Sequence, residues 1–388
     1  MAGPMADLLI RGGTTADGAP RDIAIVGGRI AAGREAASGA DELDATGLTV
    51  LPGLLDLQVN GVAGIDLTLE PERLWEAAAA LAAYGVTAFL PTVITSAPQA
   101  RVRALDALRA GPPDGWAGAV PLGLHFEGPM IAEERKGAHP ARWLRAPAPE
   151  IVDGWSSGAG VAMVTIAPEL PGALDAISVL VGAGVVVSVG HTTAGADLVL
   201  AALDRGARMV THLGNAMPPV LAREPGPAGV ALGDPRVVAG VIADGHHLHR
   251  SALAAYASAL GPERLLAVTD CTAALGLPDG RARLGDQHVV VAGGTVRLED
   301  GTLAGSGAAL AQCLRELRAA TGWSLPDVVA TCTRTAADLV GDPERGTLEA
   351  GARGDVTLVD EHLDVVATVV GGRVVHSAGP GGTEGGKS

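Results

Sequence analysis

Two patterns alternate between residues 51 and 270. Short runs of Val, Ile, Leu and Ala fall at 54–59, 86–92, 120–126, 161–167, 185–190, 208–213, 237–243 and 265–269, and each reads as a strand. Between them lie Ala/Leu-rich stretches of helical character, such as "RLWEAAAALAAYG" (73–85) and "LVLAALDRGA" (198–207). Strands that are apolar on both faces belong to parallel sheets covered by helices. Eight of them favour a closed (β/α)8 TIM-like barrel over an open doubly wound sheet. The early Gly-rich turns carry no GxGxxG between strand and helix, which further weakens a dinucleotide-binding reading.

The two ends of the chain have a different texture. "ADLLIRGG", "DIAIVGGRIAAG" and "GLTVLPG" near the start are short strands punctuated by glycine, and "GDVTLVDEHLDVVATVVGGRVVHS" repeats the style near the finish. The expected organisation is an α/β protein: a barrel over 51–349 and a small β-sandwich domain built from both termini, 1–50 with 350–380. The polar, Gly-rich residues 381–388 are expected to be disordered.

Polar residues collect where the apolar runs stop. The third strand ends in "GLHFEGP", with His125 and Glu127, and the fifth ends at His191 in "VSVGHTT". The sixth ends at His212 in "THLGNAMP", the seventh runs into "IADGHHLH", and the eighth ends at Asp270 in "VTDCT". Taken singly, each is more often a hydrogen-bonded core histidine, a helix cap or a turn. In a (β/α)8 barrel, however, the carboxyl ends of all strands meet at one mouth. Glu, His and His with an open position suit one catalytic cation, and an Asp opposite can take a proton from water activated by it.

Composition narrows the partners. The net charge of −15, without a basic cluster, argues against nucleic acid and anionic membranes. No apolar stretch reaches membrane-spanning length, and the first residues lack the pattern of a secretory signal, so a cytoplasmic protein is expected. Cys271, Cys313 and Cys332 are too few and too scattered for a disulfide framework or a cysteine-built metal site.

The motifs "PGLLDLQVNG", "LGLHFEGPMIAEERKGAHP", "VSVGHTT", "THLGNAMPPVLAREPGPAG", "IADGHHLH", "TDCTAALG" and "GTLAGSG" span nearly the whole chain. In residues, order and spacing they resemble the amidohydrolase superfamily, and within it the N-acetylglucosamine-6-phosphate deacetylases. The resemblance implies hydrolysis of the acetamide of N-acetylglucosamine 6-phosphate to glucosamine 6-phosphate and acetate. It implies one divalent metal per subunit, Zn2+, held by Glu127, His191 and His212, with Asp270 as general base and acid. Substrate contacts would come from Ala138, His139, Asn215, Ala216, Arg223, His247, Leu303, Ala304 and Gly305. His247 is chosen over His246 and His249 by alignment of "ADGxH", and with Arg223 it would anchor the phosphate. Gln58 and Asn60 stand where some members carry a His-x-His pair that can hold a second metal. They are expected near the metal as non-ligands, and the fourth strand offers no lysine to bridge two ions.

The resemblance also implies a homodimer in which the "NAMP" and "DGHH" regions complete the neighbour's phosphate site. Gly214, Cys271 and Met130 depart from the family, two of them where an aromatic is common; they follow the aromatic-poor composition or widen the pocket. Two other readings stand beside the deacetylase: a hydrolase of a related N-acyl amino sugar, and a metal-free barrel that only binds sugar phosphates.

Overall fold

The computed structural model describes residues 6–33 and 39–378. The segment 381–388, expected to be disordered, lies outside the described residues. Eight parallel strands follow in chain order: β1 (Leu54–Val59), β2 (Val86–Ile94), β3 (Leu124–Glu127), β4 (Val161–Ile166), β5 (Val186–Val189), β6 (Met209–Val210), β7 (Val238–Ile242) and β8 (Leu265–Val268). β1, β2, β3, β5, β6 and β8 are buried throughout, as strands covered on both faces must be. Each pairs with the next from β1 to β8. The seam between β8 and β1 has no full ladder. It is closed by Asp56, which accepts from the Thr269 hydroxyl at 2.6 Å and the Thr269 amide at 3.2 Å, and by the Asn60 amide donating to the Cys271 carbonyl at 2.7 Å. The third run divides: Val120–Pro121 pairs only with β2, and Gly123, at φ +127°, precedes β3 itself.

The helices surround the barrel. In Leu310–Thr321, Leu310, Cys313, Leu314 and Leu317 form one buried stripe at helical spacing, and Gly322 ends the helix at φ +69°. All three cysteines are buried and unpaired. Among the described residues no helix is long and apolar enough to cross a membrane.

Strands from the two ends form two further sheets. One orders Arg29–Ile30, Ile23–Val26, Leu8–Arg11 and Asp41–Asp44; the other orders Thr14–Thr15, Thr49–Pro52, Val356–Val359, Val365–Val370 and Arg373–Ser377. They share a core of Leu8, Ile10, Ile23, Ile25, Val50, Val356, Leu358 and Val369.

Between β8 and helix Leu310–Thr321 the chain makes an antiparallel four-stranded sheet, Gly280–Leu284, Gln287–Ala292, Thr295–Leu298 and Leu303–Ser306. This flap has no counterpart in the sequence expectations. Its inner residues Leu284, Val289, Val291, Val296 and Ala304 pack against Ile94 and Ala138, and Asp66 accepts the Gly285 amide at 2.7 Å.

Candidate active site

The strands stack their side chains in layers. Leu90, Met163, Val186 and Met209 share an apolar cluster closed by Ala336, Ala337 and Leu339. Two residues further along each strand stand Thr92, Thr165, Ser188 and Thr211. His125 joins them, bonding Thr92 Oγ1 at 3.3 Å and Thr165 Oγ1 at 2.8 Å, and Thr165 meets Thr211 at 2.8 Å. Burial pushes His125 down to about 4. His125 is thus a neutral member of a satisfied polar layer beneath the site, and Glu127, two residues on, reaches the layer above.

That upper layer is assembled by register. Val189 pairs with Val210, so His191 and His212, each two residues beyond its strand, stand level; Ile242 pairs with Val268, so Asp244 and Asp270 do the same. His191, His212 and Asp270 have φ of +49°, +31° and +51°, a conformation uncommon outside glycine and concentrated at functional sites.

Three donor atoms converge. Glu127 Oε1 lies 3.1 Å from His191 Nε2 and 3.2 Å from His212 Nε2, and the two nitrogens are 2.9 Å apart. His191 Nδ1 is 2.7 Å from the Arg135 carbonyl, which only accepts, so Nδ1 carries the proton and Nε2 presents a lone pair. Ligand atoms at 2.0–2.2 Å from a four-coordinate cation stand roughly 3.3 Å apart, so this triangle fits a divalent metal. His139 forms an overlapping candidate group with Glu127 and His191, but its Nε2 is 4.0 Å from Glu127 Oε2. The Thr95 amide donates to His139 Nδ1 at 3.3 Å, which leaves the proton on Nε2, facing the cavity as a donor.

Burial opposes charge on Glu127, yet its close contacts with the His191 and His212 imidazoles outweigh it and hold the carboxyl well below its ordinary value. Asp270 behaves oppositely: burial and then repulsion from Glu127 push it up to about 8. Gln58 Nε2 donates to Asp270 Oδ1 at 3.1 Å and to Glu127 Oε1 at 3.3 Å, and Asn60 Nδ2 donates to Asp270 Oδ1 at 2.7 Å. Both amides therefore grip one oxygen of Asp270 and leave Oδ2 for proton transfer.

A cavity of about 280 Å³ opens over this layer. Asn60, Glu127, Ala138, His139, His191, His212, Asn215, Ala216, His247, Asp270, Leu303, Ala304 and Gly305 line it; Gln58 lies fully buried beside it. Arg223 is exposed and does not line it. Of the three histidines in "HHLH", His247 lines the cavity with Nδ1 at 2.7 Å from Asp244, whereas His246 is exposed and His249 caps the next helix. The flap strand Leu303–Ser306 is tied to the site directly, the Ser306 amide donating to the Asp270 carbonyl at 2.9 Å. Met130 and Cys271 are fully buried and Gly214 has Tyr256 and Leu248 beside its Cα, all three off the cavity lining.

Sequence reasoning missed Asp244, Arg135 and Glu169. Asp244 had a signal in its place two residues beyond β7. Glu169 accepts from the Thr192 hydroxyl and, at 2.5 Å, the Thr193 amide, bracing the turn after His191. Arg135 lines the cavity from a half-exposed loop with no pattern to mark it.

A parallel barrel with a carboxylate, two imidazoles and a facing Asp at its mouth defines a metal-dependent hydrolase. The chain belongs to the amidohydrolase family, whose model matches residues 49–375. It is similar to the N-acetylglucosamine-6-phosphate deacetylases of Caenorhabditis elegans, at 38% identity over 87% of this chain and 85% of that protein, and of Bacillus subtilis, at 35% over 84% of each. A mutant of the Mycobacterium smegmatis N-acetyl-D-glucosamine-6-phosphate deacetylase, solved in complex with N-acetyl-D-glucosamine-6-phosphate, matches with a TM-score of 0.85 at 35% identity, covering 96% of this chain and all of that one. The resemblance carried by the motifs and the expected barrel are both borne out.

Proposed function

We propose that the protein hydrolyses the acetamide of N-acetylglucosamine 6-phosphate to glucosamine 6-phosphate and acetate. The observation that carries this reading is the convergence of Glu127, His191, His212 and Asp270 over one small cavity, in a chain similar along its length to deacetylases of that substrate. Glu127, His191 and His212 hold the metal, and the two-nitrogen, one-oxygen donor set favours Zn2+. When bound, the cation supplies Lewis acidity toward the acetyl carbonyl and lowers the pKa of water.

The remaining work falls to the chain. Asp270 Oδ2 takes the proton of the attacking water and returns it to the amine as the C–N bond breaks. Gln58 and Asn60 keep Asp270 turned toward the reacting atoms through its other oxygen. The Nε2–H of His139 donates to a substrate oxygen. His247, held by Asp244, and the polar groups of Asn215 receive the sugar phosphate, while Leu303, Ala304 and Gly305 cover the ring.

We further propose a cytoplasmic homodimer. Three buried free thiols suit a reducing compartment. Arg223 lies in a loop with exposed Val220 and Leu221, outside the lining of its own cavity, a surface suited to meeting a neighbouring subunit and its phosphate. The test is a panel of N-acetylglucosamine 6-phosphate, its galactosamine and mannosamine analogues and unphosphorylated N-acetylglucosamine. Fastest turnover of the first supports the reading; equal rates with and without phosphate sink the substrate assignment. Sedimentation that shows only monomer contradicts the dimer.

A further inference from the structure

We infer that Arg135 selects for the phosphate on the substrate, acting within the same chain; this rests on the reaction proposed above. Among the side chains lining the cavity Arg135 is the one permanent cation; the other basic groups there are imidazoles. Two of those, His191 and His212, turn their Nε2 atoms to Glu127, and a third, His247, is committed through Nδ1 to Asp244.

The Arg135 guanidinium makes no ion pair or side-chain hydrogen bond among the described residues. Arg11, Arg29, Arg73, Arg103, Arg236 and Arg315 all pair with carboxylates. The other described arginines with neither kind of partner, Arg223, Arg283, Arg318 and Arg334, are exposed and off the cavity, so Arg135 is set apart by being both unpaired and on the cavity lining. Even the neighbouring Glu134, which also lines the cavity, does not pair with it. An unpaired guanidinium at the edge of a cavity in a protein of net charge −15 is poised for an anion supplied from outside.

Its backbone is fixed while its side chain is free. The Arg135 carbonyl accepts from His191 Nδ1 at 2.7 Å, and the Ala132 amide donates to the His191 carbonyl at 2.9 Å. The loop therefore cannot shift without moving His191, which fixes the root of the Arg135 side chain at the edge of the cavity. The structure thus gives the dianionic phosphate a cation from its own chain, whereas Arg223 of that chain stays off the cavity.

The test compares Arg135→Ala, Arg135→Lys and Arg223→Ala by kcat/KM on N-acetylglucosamine 6-phosphate and N-acetylglucosamine. The phosphorylated-to-unphosphorylated ratio should fall roughly 10- to 100-fold in Arg135→Ala, chiefly through KM, and only partly in Arg135→Lys. Metal content should stay level, because His191 bonds the backbone of residue 135. Calorimetric binding of glucosamine 6-phosphate against glucosamine should lose its difference in parallel. A ratio and a binding difference both unchanged in Arg135→Ala overturn the inference. If the wild-type protein turns over neither sugar, the proposed reaction fails, and the calorimetric arm still decides Arg135.

Discussion

Asp270→Asn removes a charge from a position where the fold tolerates it poorly and the chemistry requires it. The carboxyl is enclosed beside Glu127 and pushed up to about 8, against about 3.9 in an unfolded chain. In the metal-free protein the folded state therefore binds this proton more tightly than the unfolded state does. The associated stability is complete below about pH 4 and is lost as pH rises through 8. His125 and His139, held down by burial to about 4 and 3, still add a little stability above pH 6.5 as their unfolded imidazoles lose the remaining half proton, and Asp56 and Asp66, raised by burial to about 6, have largely finished there. Those contributions are common to wild type and Asp270→Asn, so the difference between the two proteins over pH 6.5 to 8 isolates Asp270, and with that proton half lost at pH 8 it amounts to about 1.5–2 kcal/mol. Urea melts of chelator-treated protein at the two pH values measure it. Between the two pH values wild type should lose about 1.5–2 kcal/mol more than Asp270→Asn. Its metal-loaded turnover should fall by about 10²- to 10⁴-fold, the usual worth of a general base. An equal pH loss in both proteins refutes the electrostatic reasoning, and near-normal turnover in the variant refutes the general-base role.

His212→Ala should lose bound metal together with activity, whereas His139→Ala should keep its metal and lose turnover; elemental analysis of the two purified variants separates the overlapping donor groups. Gly305 sits at φ +68° with its missing Cβ only 2.7 Å from the Asp270 carbonyl, so Gly305→Ala should lower stability by about 1–3 kcal/mol and depress kcat with metal retained, read by urea melts and steady-state kinetics. Phe126 is fully buried behind Glu127, with its ring centroid 4.7 Å from that of Trp155, and Phe126→Ala should destabilise the fold by about 3–5 kcal/mol in the same melts.

The barrel was legible because every strand is buried on both faces or nearly so, which leaves a continuous apolar run that ends where the chain meets the mouth. The same fact exposed Glu127, His191, His212 and Asp270 as polar residues breaking such runs. Position alone could not distinguish His125 from Glu127, since two residues of one strand differ only in which layer they reach. The flap carries a period-2 signature in "QHVVVA" between Gly-rich turns, but nothing local says that it folds over the mouth, a placement set by packing on Ile94 and Ala138. Arg135 was invisible for a related reason: a half-exposed arginine in a loop acquires meaning only from the cavity it borders and the partner it lacks.

The central claim is a deacetylase whose chemistry depends on one metal held by Glu127, His191 and His212. Its most direct test is titration of metal-free protein with Zn2+ while acetate release from N-acetylglucosamine 6-phosphate is followed. Activity should rise from near zero and level off at one equivalent per chain; full activity without metal, or a break at two equivalents, would contradict it.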